Sequence, residues 1–186
     1  PIRHIVSVLA IGAIAAGLLW MFALTDEQQQ RVTSFIDPQA NLQQAGYNAN
    51  QAMIAVGSGQ LLGKGVGYGT QSRLEFLPEY ETDFVFAAFA EEWGFVGACL
   101  LLLLYLVILW RVYRLARQGE TSFERLFGAG VFVYLLAHIM VHTGVNIGLL
   151  PITGTTMPFM SYGGSHLVTE LLALGVLVGL EKESVD

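Results

Sequence analysis

Four apolar runs dominate this chain: roughly Ile5 to Leu24, Phe84 to Trp110, Leu126 to Leu150, and Leu167 to Leu180, the last reaching back to Gly163 if small residues are admitted. A helix rises about 1.5 Å per residue and a bilayer holds ~30 Å of hydrocarbon, so each run is about the length that crosses a membrane. Of the 186 residues, 54% are hydrophobic and 13% charged, which is too little polar surface to clothe four such helices in water. The expected fold class is an all-α membrane protein with four transmembrane helices, at about 5–24, 84–110, 126–150 and 163–180. The first run has neither a strongly basic leader nor an A-x-A cleavage site and reads as a span rather than a signal peptide.

The basic residues orient these spans. Arg3 precedes the first, Arg111, Arg114, Arg117 and Arg125 lie between the second and third, and Lys182 follows the fourth. Cytoplasmic connections carry the excess of Lys and Arg, so these six mark the inside. The long segment from about 25 to 82 and the short one from Pro151 to Tyr162 are then expected outside the cytoplasm. A net charge of −6 with no basic face argues against a nucleic-acid partner. Cys99 is the only cysteine, so no intramolecular disulfide can form and a cysteine metal site is implausible.

A connection of nearly sixty residues between spans is usually functional or disordered. This one carries "VTSFIDP", "GYNANQAMIAVGSG" and "LLGKGVGYGTQSRLEFLPE", rich in aromatic and aliphatic residues, so short helices and turns packed on the membrane face are expected. Six glycines and one lysine lie between Gly57 and Gly69, a pattern of tight turns whose amides could approach an anion. "GSGQLLGKG" is not a nucleotide-binding P-loop: Gly65 stands where a Ser or Thr should follow Lys64, and Ser58 stands where the first Gly should be. Two readings remain at this point. Either the segment is a plain turn-rich loop, or Lys64 and its neighbouring amides, with Arg31 and Arg73, receive a phosphate-bearing group.

The residues before the second span crowd acid against apolar sequence. An 18-residue helix from Trp93 to Trp110 covers ~27 Å, which puts Glu91 and Glu92 near its outer edge and Asp83 further out, near the helix start, with Thr82 as the expected N-cap. A carboxylate at that boundary, beside basic and glycine-rich loops, is placed to deprotonate a lipid-linked substrate, and Asp83 is the best-placed candidate. The alternative is that these acids only solvate the helix entry.

Two long motifs, "GKGVGYGTQSRLEFLPEYETDFVFAAFAEEWGFVG" and "GLLPITGTTMPFMSYGGS", together with "RVTSFIDP" and "GYNANQAMIAVGSG", resemble the SEDS family, the FtsW, RodA and SpoVE proteins of bacterial cell-wall synthesis. The resemblance covers the last four of the family's ten spans. It implies that residues 1–186 are the C-terminal part of a single SEDS membrane domain, inactive as an isolated piece, from a multi-pass protein of the bacterial cytoplasmic membrane. It further implies a peptidoglycan glycosyltransferase that polymerises lipid II with a class B penicillin-binding protein as partner.

The family's essential aspartate matches Asp83, which would act as base on the acceptor sugar hydroxyl while undecaprenyl pyrophosphate leaves. Glu75 and Glu79 match its other functional acids in this loop. Lys64, Arg31 and Arg73, and in some versions a divalent cation (Mg or Mn), would steady the pyrophosphate; no residue is assigned as a metal ligand. Pro151, Pro158, Ser161, Tyr162, Gly163 and Gly164 would shape the cavity, as a Pro- and Gly-rich non-helical wall should, or serve as a rigid connector between spans. The rival functions are a transporter of the lipid-linked precursor and a non-catalytic piece that docks a cell-wall synthesis partner.

Two departures stand out. Glu81 replaces the histidine usual two residues before the proposed base. His138 and His142 in the third span, and His166 and Glu170 in the fourth, stand where relatives usually carry uncharged polar or small residues. Because His142 and Glu170 each lie about 10 Å inside their outer helix ends, a pairing between them across the two helices is expected, since an unpartnered glutamate at that depth is costly.

Overall fold

The computed structural model describes residues 2–36, 45–74 and 76–183. Every regular element among the described residues is helical. The chain divides into two compact units, Pro1–Tyr47 and Asn48–Asp186.

In the first unit, α1 (Ile2–Leu18) widens into a π-helical turn at Leu19–Ala23, after which Leu24 is extended and α2 (Asp26–Ile36) begins. The turn has local causes. The Leu24 amide donates back to Leu19 O at 3.0 Å, and the carboxamide of Gln29 donates to Trp20 O at 2.8 Å, covering a carbonyl that the helix no longer satisfies. At the start of α2 the Gln28 side chain accepts from the Thr25 amide at 3.1 Å, the reciprocal half of a capping box.

The second unit holds α3 (Ala45–Ser58) from Asn48 onward, α4 (Thr70–Arg73), α5 (Val85–Gln118), α6 (Ser122–Asn146) and α7 (Gly164–Glu183). The three-residue link between α5 and α6 forces an antiparallel pair. Thr121 and Glu124 close that end with a complete capping box, and the Arg125 guanidinium donates to Gly119 O at 2.8 Å. The pair packs through Tyr105, Leu109 and Val112 of α5 against Val131, Leu135 and Ile139 of α6, with Leu177 of α7 against the same cluster. Gly128 allows the close approach, because a Cβ there would stand 2.7 Å from the Ala116 methyl. Small residues that admit tight backbone contact are how helices associate in lipid, where no hydrophobic drive separates helix from solvent.

Among the described residues, three helices are long and apolar enough to cross a membrane: Arg3–Ala23, Val85–Gln118 and Ser122–Asn146. The apolar stretch of α7, Gly164–Leu180, falls short of that length, so the fourth expected span is present as a helix but a short one. Inside the stretch read as a structured loop, α2, α3 and α4 do form. Boundaries differ from expectation as well: α5 runs on to Gln118, past the expected end at Trp110, and α6 starts at Ser122, before the expected Leu126. The third helix ends at Asn146, four residues early, because Gly148 turns the chain at φ 74°. The second is not a straight rod: α5 is interrupted at Gly94, with φ 68° and ψ −169°.

Candidate active site at the entry to helix α5

The segment leading into α5 is a tight knot rather than a solvated approach. Glu79 adopts a left-handed conformation (φ 57°), which for a residue other than glycine costs about 1–2 kcal/mol and turns its carbonyl toward the chain ahead. That carbonyl accepts from the amides of Thr82, Asp83 and Phe84 at 3.1, 3.0 and 3.3 Å. Leu77 and Phe84 anchor the knot, both fully buried against Ala52 and Ala55 of α3, Ala87 of α5 and Val145 of α6. Thr82 is not the N-cap. Phe84 is, with no side-chain cap bond, because the Thr82 hydroxyl is turned back to the Glu79 carboxylate at 3.1 Å.

Two other parts of the chain close on this knot. From the connection between α6 and α7, the Ser161 hydroxyl donates to Thr82 O at 2.7 Å while accepting from the Met157 amide at 2.7 Å. The Tyr162 amide donates to Glu81 O at 2.8 Å. Gly154 brings its backbone beside the Asp83 carboxylate, since a Cβ at that position would lie 3.6 Å from Asp83 Oδ2. From the end of α6, the Asn146 carboxamide donates to Asp83 O at 3.1 Å. The half-buried Asp83 is thus fixed by contacts on both sides of the helix entry.

Of the other residues expected at the site, Glu79 is exposed beside Asp83 and its side chain engages Thr82. Pro158 is fully buried, and its carbonyl accepts from the Tyr105 hydroxyl. Tyr162 projects its ring outward at 77% exposure. Pro151 and Gly163 are half-buried and Gly164 opens α7. Arg73 is exposed at the last residue of α4, and Arg31 is exposed on α2 of the first unit. Glu75 lies outside the described residues.

The glycine-rich loop does something the sequence reading did not foresee. At the interruption of α5 the carbonyls of Glu91 and Glu92 lose their helical partners, and so do the amides of Phe95 and Val96. The loop enters the gap and satisfies all four: Lys64 N donates to Glu91 O, Gly65 N to Glu92 O, Phe95 N to Gln60 O and Val96 N to Leu61 O, at 2.8–3.1 Å. Helix interruption at membrane depth is tolerated where other protein supplies these partners. Gly63 and Gly94 face each other at positive φ, and a Cβ on Gly94 would sit 2.2 Å from Gly63 N. The amides of Lys64 and Gly65, expected to be available to an anion, are therefore committed to α5.

The side chains follow the same plan. Glu91, placed by the sequence near the outer edge of the membrane, is 0% exposed within the fold. Its carboxylate accepts from Lys64 Nζ at 2.7 Å, Thr70 N and Oγ1 at 2.9 Å, Gln71 N at 3.1 Å and Ser58 Oγ at 3.4 Å. Lys64 also donates to Thr70 Oγ1 at 2.8 Å, which leaves one of its three ammonium hydrogens for any phosphate. A lone lysine among glycines and a glutamate abutting an apolar run are the signals from which this pair was legible.

The expected bond between His142 and Glu170 does not form. His142 Nδ1 meets Thr155 O at 2.7 Å. Glu170 accepts from the Phe159 amide at 3.0 Å and stands 3.0 Å from His166 Nδ1, one turn away on its own helix. The nearer partner prevails, and the left-handed Phe159 (φ 60°) turns its amide to the second oxygen. His166 continues to the Tyr134 hydroxyl at 3.0 Å, and His138 Nδ1 to Tyr134 O at 3.0 Å. Among the described residues no three His, Cys, Asp or Glu side chains group so as to hold a metal ion.

Comparison with known proteins gives a consistent result. A family model described as a cell cycle protein, FTSW_RODA_SPOVE, matches residues 1–185. The chain is 42% identical over 163 residues to the peptidoglycan glycosyltransferase MrdB of Escherichia coli (strain K12), covering 88% of this chain and 44% of that protein. It is 39% identical over 188 residues to a probable peptidoglycan glycosyltransferase FtsW of Thiomicrospira cyclica (99% and 47% covered). It is 37% identical over 183 residues to the stage V sporulation protein E of Bacillus subtilis (98% and 49% covered). A chain from a solved peptidoglycan synthase complex, described as coordinating polymerization and crosslinking, superposes with a TM-score of 0.75 at 31% identity, covering 97% of this chain and 49% of that one. The chain spans about half the length of the curated relatives it matches.

Proposed function

Because the chain belongs to the FtsW, RodA and SpoVE family of cell cycle proteins, we propose that, within its full-length protein, it forms the catalytic part of a peptidoglycan glycosyltransferase that polymerises lipid II at the outer face of the cytoplasmic membrane. In this reading α7 supplies a fourth span, and the connections holding Asp83 and Ser161 face outward, opposite the arginine-rich link between α5 and α6. The observation that carries the proposal is the meeting of two distant segments, 79–83 and 154–162, around the Asp83 carboxylate.

Asp83 accepts the proton of an acceptor sugar hydroxyl as that oxygen bonds to the anomeric carbon of the donor. Undecaprenyl pyrophosphate departs with the electron pair of the broken bond, and the anomeric centre inverts. A positioned carboxylate base of this kind contributes about 10²–10⁴-fold. Arg73 and the remaining hydrogen of Lys64 are the candidates within this unit for steadying the pyrophosphate. A class B penicillin-binding protein is the proposed partner, a reading supported by the synthase complex that contains the similar chain.

The test is polymer formation from purified lipid II by the full-length protein, run beside lipid II translocation across liposomes. The enzyme reading expects glycan strands that disappear in Asp83→Ala. Translocation without polymer would favour a transporter and overturn it.

A further inference from the structure

Asn146 is an uncharged residue at the last position of α6 that the proposed chemistry does not use. Its side chain is 0% exposed, and a carboxamide there needs partners for two N–H groups and an oxygen. All three have them. Nδ2 donates to Asp83 O at 3.1 Å and to His142 O at 2.8 Å, and Oδ1 accepts from the Ala87 amide at 3.0 Å.

These bonds do a specific job. A helix starts with amides that lack internal partners, and the third is normally taken by the side chain of the N-cap residue. In α5 the N-cap is Phe84, which has no group to offer, and the third helical residue is Ala87. Asn146 therefore caps α5 from another helix, and the same carboxamide grips the carbonyl of Asp83. The bond to His142 O, one turn back on α6, fixes the plane of the carboxamide so that both contacts hold together.

We infer that Asn146 is a positioning residue: it caps α5 from α6 and, by holding the main chain of Asp83, sets the direction of that carboxylate toward the acceptor hydroxyl. The inference rests on the reading of Asp83 as the base. It assigns to Asn146 an effect on turnover rather than on substrate binding, since its polar atoms are all engaged within the protein.

The experiment uses the full-length protein with lipid II, comparing Asn146→Ala and Asn146→Ser with the parent and with Asp83→Asn. The expected result is a fall in kcat of tenfold or more with KM within about twofold. Hydrogen exchange should rise at residues 83–87 while the rest of α5 and α6 keeps its protection. An unchanged kcat per folded molecule in both variants would overturn the inference. So would loss of protection throughout both helices, or failure of both variants to fold, since the carboxamide would then hold the fold rather than the carboxylate. Asp83→Asn separates the two claims. If it stays active, the reading of the site fails; if it is inactive while both Asn146 variants turn over normally, only the role of Asn146 fails.

Discussion

Two acidic residues eight positions apart on the same entry to α5 are treated in opposite ways. Glu91 is fully buried, and donors from Lys64, Thr70, Gln71 and Ser58 converge on its carboxylate. Asp83 is half-buried, and Ser161, Tyr162 and Asn146 grip the main chain of Thr82, Glu81 and Asp83 itself. One arrangement uses a charge to build structure, tying a glycine loop into a broken helix. The other uses structure to present a charge. The difference teaches that acidity near a membrane boundary says little until the donors around each carboxylate are known.

That contrast can be broken most severely at the interruption itself. Gly94→Ala places a methyl 2.2 Å from Gly63 N at a positive φ, and both strain and collision must be relieved. The expected cost is about 4 kcal/mol or more, the range of exceptional single substitutions, read as loss of folded full-length protein in detergent. Next, Lys64→Met leaves the buried Glu91 without its cation. Lys64 is itself exposed, so the cost falls below the ~3–5 kcal/mol of removing one partner from a fully buried pair. Adding Glu91→Gln to Lys64→Met removes the stranded charge while keeping an acceptor for the amides of Thr70 and Gln71, so it should recover much of the lost thermal stability, and a double variant no more stable than the single would show that Glu91 does not carry a structural charge.

Smaller effects sharpen the Asp83 side. Ser161→Ala removes the bond to Thr82 O and leaves that carbonyl and the Met157 amide, both part-buried, short of a partner, at about 1–3 kcal/mol. Here turnover should fall further than stability does, unlike the Lys64 variant. Thr121→Ala, at the opposite end of α5 and α6, deletes a capping box and should cost about 1 kcal/mol with turnover per folded molecule unchanged. A large loss of turnover there would blur the distinction between the two regions.

Much of this was legible in the sequence, and what was missed has physical causes. Long apolar runs announce helices, and "LPEYETD" against "PFMSYGG" marked the two segments that meet. The break at Gly94 was hidden because its immediate neighbours Trp93 and Phe95 are apolar and a lone glycine does not by itself end a helix, so the apolar run continues across a gap that a distant loop fills. Thr82 looked like a cap because Ser, Thr, Asp and Asn usually are, but the left-handed Glu79 draws its hydroxyl away. The pairing of His142 with Glu170 failed because matching depths ignored the nearer His166, four residues along the same helix. Asn146 drew no notice because attention went to charge, while its role comes from three neutral hydrogen bonds that only the folded chain assembles.

The most direct test is the turnover of lipid II per folded molecule in full-length Asp83→Asn, with thermal unfolding measured on the same sample. A neutral amide of equal size should keep the fold within about 1 kcal/mol while abolishing proton acceptance, so the expected result is a loss of at least about 10²-fold at near-parental stability. Turnover within threefold of the parent would contradict the account, because the side chain that the two segments enclose would then not be the one that takes the proton.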